Sequence, residues 1–76
     1  MTTVRIYADF NNTDEQGRVA LNTVGSLEDL KQYGDTLNDG DEVILYAPDE
    51  FEVRATLVFD RAWRGLPNWE TLVRFE

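Results

Sequence analysis

The sequence predicts a mostly β domain of the α+β class: a small antiparallel half-open barrel or roll in the order β-β-α-β-β-β, with one short helix. Three observations carry this expectation. Phe51, Val53, Ala55, Leu57 and Phe59 alternate with Glu52, Arg54, Thr56, Val58 and Asp60, which fits a pleat with one buried face. A single segment, Ser26 to Gly34, carries helix signals. The chain has 76 residues and no cysteine, which makes one domain that buries only about 60% of its unfolded surface. A sheet that small must curl on itself or lie under its one helix.

The first strand is read at residues 3–10, with Val4, Ile6, Ala8 and Phe10 on one face and Thr3, Arg5, Tyr7 and Asp9 on the other. Asn11 to Gly17 is polar throughout and reads as a hairpin loop returning into a second strand, Arg18 to Asn22, with Val19 and Leu21 inward. In the helix, Ser26 is the expected cap. Glu28 and Asp29 fill the first turn, Lys31 sits late, and Gly34 gives the left-handed stop. Leu27 and Leu30 should share its core-facing stripe.

Asn38-Asp39-Gly40-Asp41 reads as a turn before a strand at Glu42–Ala47. Pro48-Asp49-Glu50 then closes a hairpin, with Pro at the first corner of a type I turn. After the long alternating strand, Arg61 to Asn68 reads as a loop and Trp69 to Glu76 as the last strand, with Trp69, Val73 and Phe75 inward. Cross-strand pairing favours Val58 opposite Leu72 and Arg54 opposite Glu76 over a slip that sets Arg54 against Arg74.

Charge limits the function. Residues 1–50 hold eleven acids against Arg5, Arg18 and Lys31, a net of −8, while residues 51–76 are balanced. Direct nucleic-acid binding is not expected of such a chain, because phosphate contacts need Lys and Arg. Without Cys and His the usual ligands of zinc, copper and haem are missing, as is the common proton shuttle. The sequence has no signal-peptide pattern and no apolar run of spanning length, so a cytoplasmic protein is expected. No Ser-His, Cys-His or glycine-rich phosphate motif occurs, so no enzyme and no cofactor is expected.

RIYADFNN, LNDGDEVILYA and FEVRATLVFD resemble short, uncharacterised bacterial proteins that fold as small SH3-like or OB-like β-barrels. The resemblance implies a fold and carries no functional residue.

Four candidate surfaces follow from the residues. The segment Asp60 to Asn68 gathers Arg61, Trp63 and Arg64, residue types enriched at binding hot spots; Trp63 is read either as a partner contact or as a lid on the barrel, its arginines pairing with Asp60 and Glu70. Val58 and Leu72, with Ile44 or Tyr46, would form an apolar patch on the outer sheet face, open to a partner or a second copy. Asp39, Asp41, Asp49 and Glu50 lie in turns on either side of the third strand as an acidic surface. Asp9, Asn11 and Thr13 match the first ligand positions of a calcium loop, but Asp14 stands where that loop needs Gly and Ala20 where it needs Glu. The leading expectation is a non-enzymatic interaction domain that binds another protein. Its alternatives are an acidic inhibitor or nucleic-acid mimic of the antirestriction or CRISPR-inhibitor type, and a divalent-cation module.

Overall fold

The computed structural model describes residues 4–75. Its elements are β1 (Arg5–Tyr7), β2 (Val19–Ala20), α1 (Val24–Tyr33), β3 (Glu42–Ala47), β4 (Phe51–Phe59), β5 (Trp63–Pro67) and a short β6 (Val73–Arg74). Short 3-10 turns follow α1 at Gly34–Thr36 and precede β6 at Trp69–Thr71. The order β-β-α-β-β-β is therefore present, with β5 added in the stretch expected to be a loop, and the sheet curls into a half-barrel. Thr3 and Glu76 lie outside the described residues, and with them the expected Arg54–Glu76 pair.

The sheet order is β1-β3-β4-β5-β2, with β6 beside the start of β4. It is antiparallel except at one place: β1 runs parallel to β3, in the register Arg5–Ile44 to Tyr7–Tyr46. The expected β1–β2 hairpin is thus absent, and these strands lie at opposite ends of the sheet. The acidic loop instead folds back on β2. Thr13 bridges Val19, and Ala20 N–H donates to Asn12 O at 2.9 Å. The chain leaving β1 therefore meets the far edge of the sheet, which curls it.

Alternation is obeyed on the inner face. Ile6, Ala8, Val19, Leu21, Val43, Leu45, Val53, Ala55 and Leu57 form the core with Leu30 and Leu37. Leu45 reaches across this interior to Gly65 on β5, where an added Cβ would stand 2.7 Å from Leu45 Cδ1. Two strands apart on a flat sheet is roughly 9.6 Å, so this close approach is a direct measure of the curl.

The helix begins earlier than the sequence suggests. Thr23 is its cap and accepts from Ser26 N–H at 3.3 Å, so Glu28 and Asp29 fall beyond the first turn. Gly25 conceals this start in the sequence, since glycine disfavours a helix interior. Here it makes room for Tyr7, whose Cδ1 would lie 3.0 Å from a Cβ at position 25. Leu30 is buried but Leu27 is exposed, so the expected two-leucine stripe is half formed. Gly34 ends the helix at φ 55, as expected.

What the helix does instead is cap an edge strand. The even residues of β1 and its flanks bond to β3, as in Ile44 N–H to Val4 O and Ala8 N–H to Tyr46 O. The odd residues face α1. Tyr33 Oη accepts from Arg5 N–H and donates to Arg5 O. Asp29 accepts from Tyr7 N–H at 2.8 Å, and the Ser26 hydroxyl donates to Tyr7 O. Three helix side chains therefore replace the missing neighbouring strand and close an edge that would otherwise invite pairing.

Three turns differ from expectation. Glu50 N–H donates to Ala47 O across the Pro48–Asp49 corner, but Asp49 has φ 63, the left-handed third position of a type II turn rather than type I. Arg61 and Ala62 form only a tight turn, and Trp63–Pro67 is a strand, pairing Val58 with Arg64 and Phe59 with Trp63. The last segment is split: Trp69–Thr71 is a 3-10 turn, and β6 pairs Phe51 with Arg74 and Glu52 with Val73. The Val58–Leu72 register is replaced because β5 already occupies that stretch of β4.

An ion network ties the loop to the β4–β5 turn. Arg18 contacts Asp14 at 2.8 Å and Asp60 at 3.1 Å, and Arg64 contacts Asp14 at 3.3 Å. Desolvation pushes the Asp14 carboxyl up, but hydrogen bonds from the Arg18 backbone and guanidinium and from Gln16 N–H outweigh it and hold its pKa below 3.8. A depressed folded-state pKa contributes stability that is present above the unfolded value, near 3.9, and lost as pH falls through the folded one. Urea unfolding from pH 6 to pH 2 should therefore show the gap between wild type and Asp14→Asn closing below about pH 4. A gap independent of pH would place the role of Asp14 in its shape alone.

Candidate functional site

Strand β4 spans about 26 Å, and its inward residues run from Phe51 at one end of the half-barrel to Phe59 at the other. Each end carries aromatic rings. At the Phe59 end, Trp63 stands edge-on at 5.0 Å and 71°. At the Phe51 end three rings meet: Phe10–Phe51 at 4.8 Å, Phe10–Trp69 at 5.5 Å and Phe51–Trp69 at 6.1 Å.

The second cluster is built by a pinned turn. Asn68 N–H donates to Arg54 O at 2.8 Å, and Arg54 N–H donates to Thr71 Oγ1 at 2.9 Å. Asn68 Oδ1 caps Glu70 N–H at 3.2 Å. These bonds turn the chain after Pro67 and present Trp69 at the mouth of the half-barrel. Phe75 N–H then reaches Glu50 O at 2.9 Å, holding the end of β6 beside the Pro48–Asp49 corner.

Two adjoining hollows result. One, of about 430 Å³, lies between Tyr7, Asp9, Phe10 and Pro48. The other, of about 530 Å³, lies between Asp49, Trp69, Leu72, Arg74 and Phe75. They share Glu50 and Phe51 and so form one groove with an aromatic floor. Trp69 is 51% exposed and Phe75 38%. Asp9, Asp49 and Glu50 rim it, and among the described residues none of the three belongs to an ion pair.

The residues singled out in the sequence are distributed differently. Trp63 is half-buried against the core, and Arg64 bonds to Asp14 and to the Asp60 carbonyl rather than to Glu70. Arg61 is exposed in its turn at φ 65. Val58 faces out opposite Arg64, whereas Leu72 packs on the core at the other end, so these two do not share a patch. Asp39 and Asp41 are held by backbone amides: Asp39 accepts from Phe59 N–H at the end of β4 at 2.7 Å, and Asp41 from Asn38 N–H within their turn at 2.9 Å. Asp49 and Glu50 stand at the opposite end of β3, on the groove.

Sequence reading missed Trp69 and Phe75 because period-two spacing set both inside a strand. The signal that could have found them is Pro67-Asn68 followed by Glu70, a turn and cap that interrupts any strand there. Among the described residues no group of three or more acids is arranged to hold a metal ion. Asp9 accepts from Asn11 N–H instead. No described helix is long and apolar enough to cross a membrane. Comparison with protein families, curated proteins and solved structures gives no match for this chain.

Proposed function

We propose that this protein is a non-enzymatic interaction domain, a half-barrel of the SH3-like or OB-like general kind, that binds another protein through the groove of Phe10, Phe51 and Trp69. The observation that carries this reading is a three-ring cluster at one end of the half-barrel, with Trp69 half exposed beside two adjoining hollows. Tryptophan is among the residue types enriched at binding hot spots, and contiguous exposed apolar patches mark interaction sites. The contact residue moves from Trp63 to Trp69, because Trp63 is partly used up in the core. The acidic-mimic alternative draws less support, since Asp39 and Asp41 cap backbone groups and lie at the far end of β3 from Asp49 and Glu50.

Capture of the partner on tagged protein tests the reading. Binding should survive the Trp63→Phe substitution and be lost with Trp69→Ala. Capture indifferent to Trp69→Ala but abolished by salt and by Asp39→Asn with Asp41→Asn would overturn it in favour of the mimic.

A further inference from the structure

We infer that the occupant of the groove is a basic segment of the partner protein, with an arginine or lysine set over Trp69 between the Asp49 and Glu50 carboxylates and an apolar neighbour in the hollow of Leu72 and Phe75. The inference rests on the interaction reading above and specifies its partner. Charge complementarity carries it. The groove holds Asp9, Asp49 and Glu50 against the single cation Arg74, and the ion pairs of the described residues consume carboxylates elsewhere, at Asp14, Glu42, Glu52 and Asp60. Carboxylates next to an aromatic face favour a cation, which gains from the ring quadrupole and from the acids together. Guanidinium suits such a site because it stacks and is weakly hydrated. The protein already makes this contact internally, with Arg5 lying 5.1 Å from the centre of the Tyr46 ring and bonded to Glu52. A second copy of the chain is the wrong occupant, because each copy brings a net charge of −8.

The test uses three synthetic octapeptides without tryptophan: one alternating arginine and leucine, one with citrulline and one with glutamate in place of each arginine. Amide and indole N–H shifts of the full chain are followed by NMR. The arginine peptide should move the Trp69 indole and the amides of residues 49–51 and 72–75. It should lose about tenfold in affinity as salt rises from low to physiological, and weaken by about fivefold with Asp49→Asn plus Glu50→Gln, which change no core residue. Equal binding of the citrulline peptide at the groove would overturn the basic occupant and leave the interaction reading standing. Groove shifts from none of the peptides would overturn both. Arginine-peptide shifts confined to Asp39 and Asp41 would overturn both as well, and shifts that grow with protein concentration alone would replace the basic segment by self-association.

Discussion

Leu45→Ala should lower the unfolding free energy by about 3 kcal/mol, and Gly65→Ala by about 1–3 kcal/mol, but the double variant should lose at least about 1 kcal/mol less than their sum. Leu45 is fully buried, so its truncation leaves a cavity. A methyl at position 65 would meet Leu45 Cδ1 at 2.7 Å and Cδ2 at 3.3 Å, and in a packed interior the leucine cannot swing away at no cost. In the double variant the new methyl sits where the leucine branch was. Urea midpoints of the four proteins measure the coupling. Strict additivity would mean that β3 and β5 do not touch across the interior and that the sheet is flatter than described.

Asp29→Ala should cost about 2–3 kcal/mol, a large share of the stability of a domain this small. The Asp29 carboxylate accepts from Tyr7 N–H at 2.8 Å and from the Tyr46 hydroxyl at 2.9 Å. Removing it orphans a strand amide and a half-buried phenol whose pKa burial, and then the Asp29 bond, push above 10.0. Tyr46→Phe should cost only about 1 kcal/mol, since it removes one of the two bonds. Amide exchange gives the sharper check: Tyr7 N–H should lose protection in Asp29→Ala by more than the global change. An Asp29→Ala protein within about 0.5 kcal/mol of wild type would show that the β1 edge is closed by something other than this carboxylate.

The clearest strands were legible from residues alone. Glu42–Ala47, a short apolar run bounded by turn residues, and Phe51–Phe59, with the period of two of a half-buried pleat, stand where their patterns put them. The pairing between strands was not legible. Nothing local distinguishes a β1 that turns back into β2 from one that runs beside β3, since the choice depends on Asp29 and Tyr33 of a helix still to come. The candidate site was only partly legible. Asp49 and Glu50 were noticed, but Trp69 was assigned inward because spacing cannot tell a strand from a pinned 3-10 turn followed by two paired residues. Trp63 stands out in the sequence through its arginine neighbours; of these, Arg64 bonds to the carbonyl of nearby Asp60 and to Asp14, which lies 50 residues away and out of reach of sequence patterns.

The wide spacing of partners in this sheet has a consequence for synthesis. Val19 pairs with Gly65, and Arg5 with Ile44, so the amino-terminal strands leave the ribosome well before their partners exist. At ordinary translation speeds Val19 waits roughly 2–9 s for Gly65, long enough for exposed strands on neighbouring nascent chains to find one another. The part that waits is the part carrying the net charge of −8. Its acids make nascent copies repel, and the charge-balanced carboxy-terminal strands arrive last. Like charge of that size opposes contact between two such segments until Trp63–Pro67 closes the sheet.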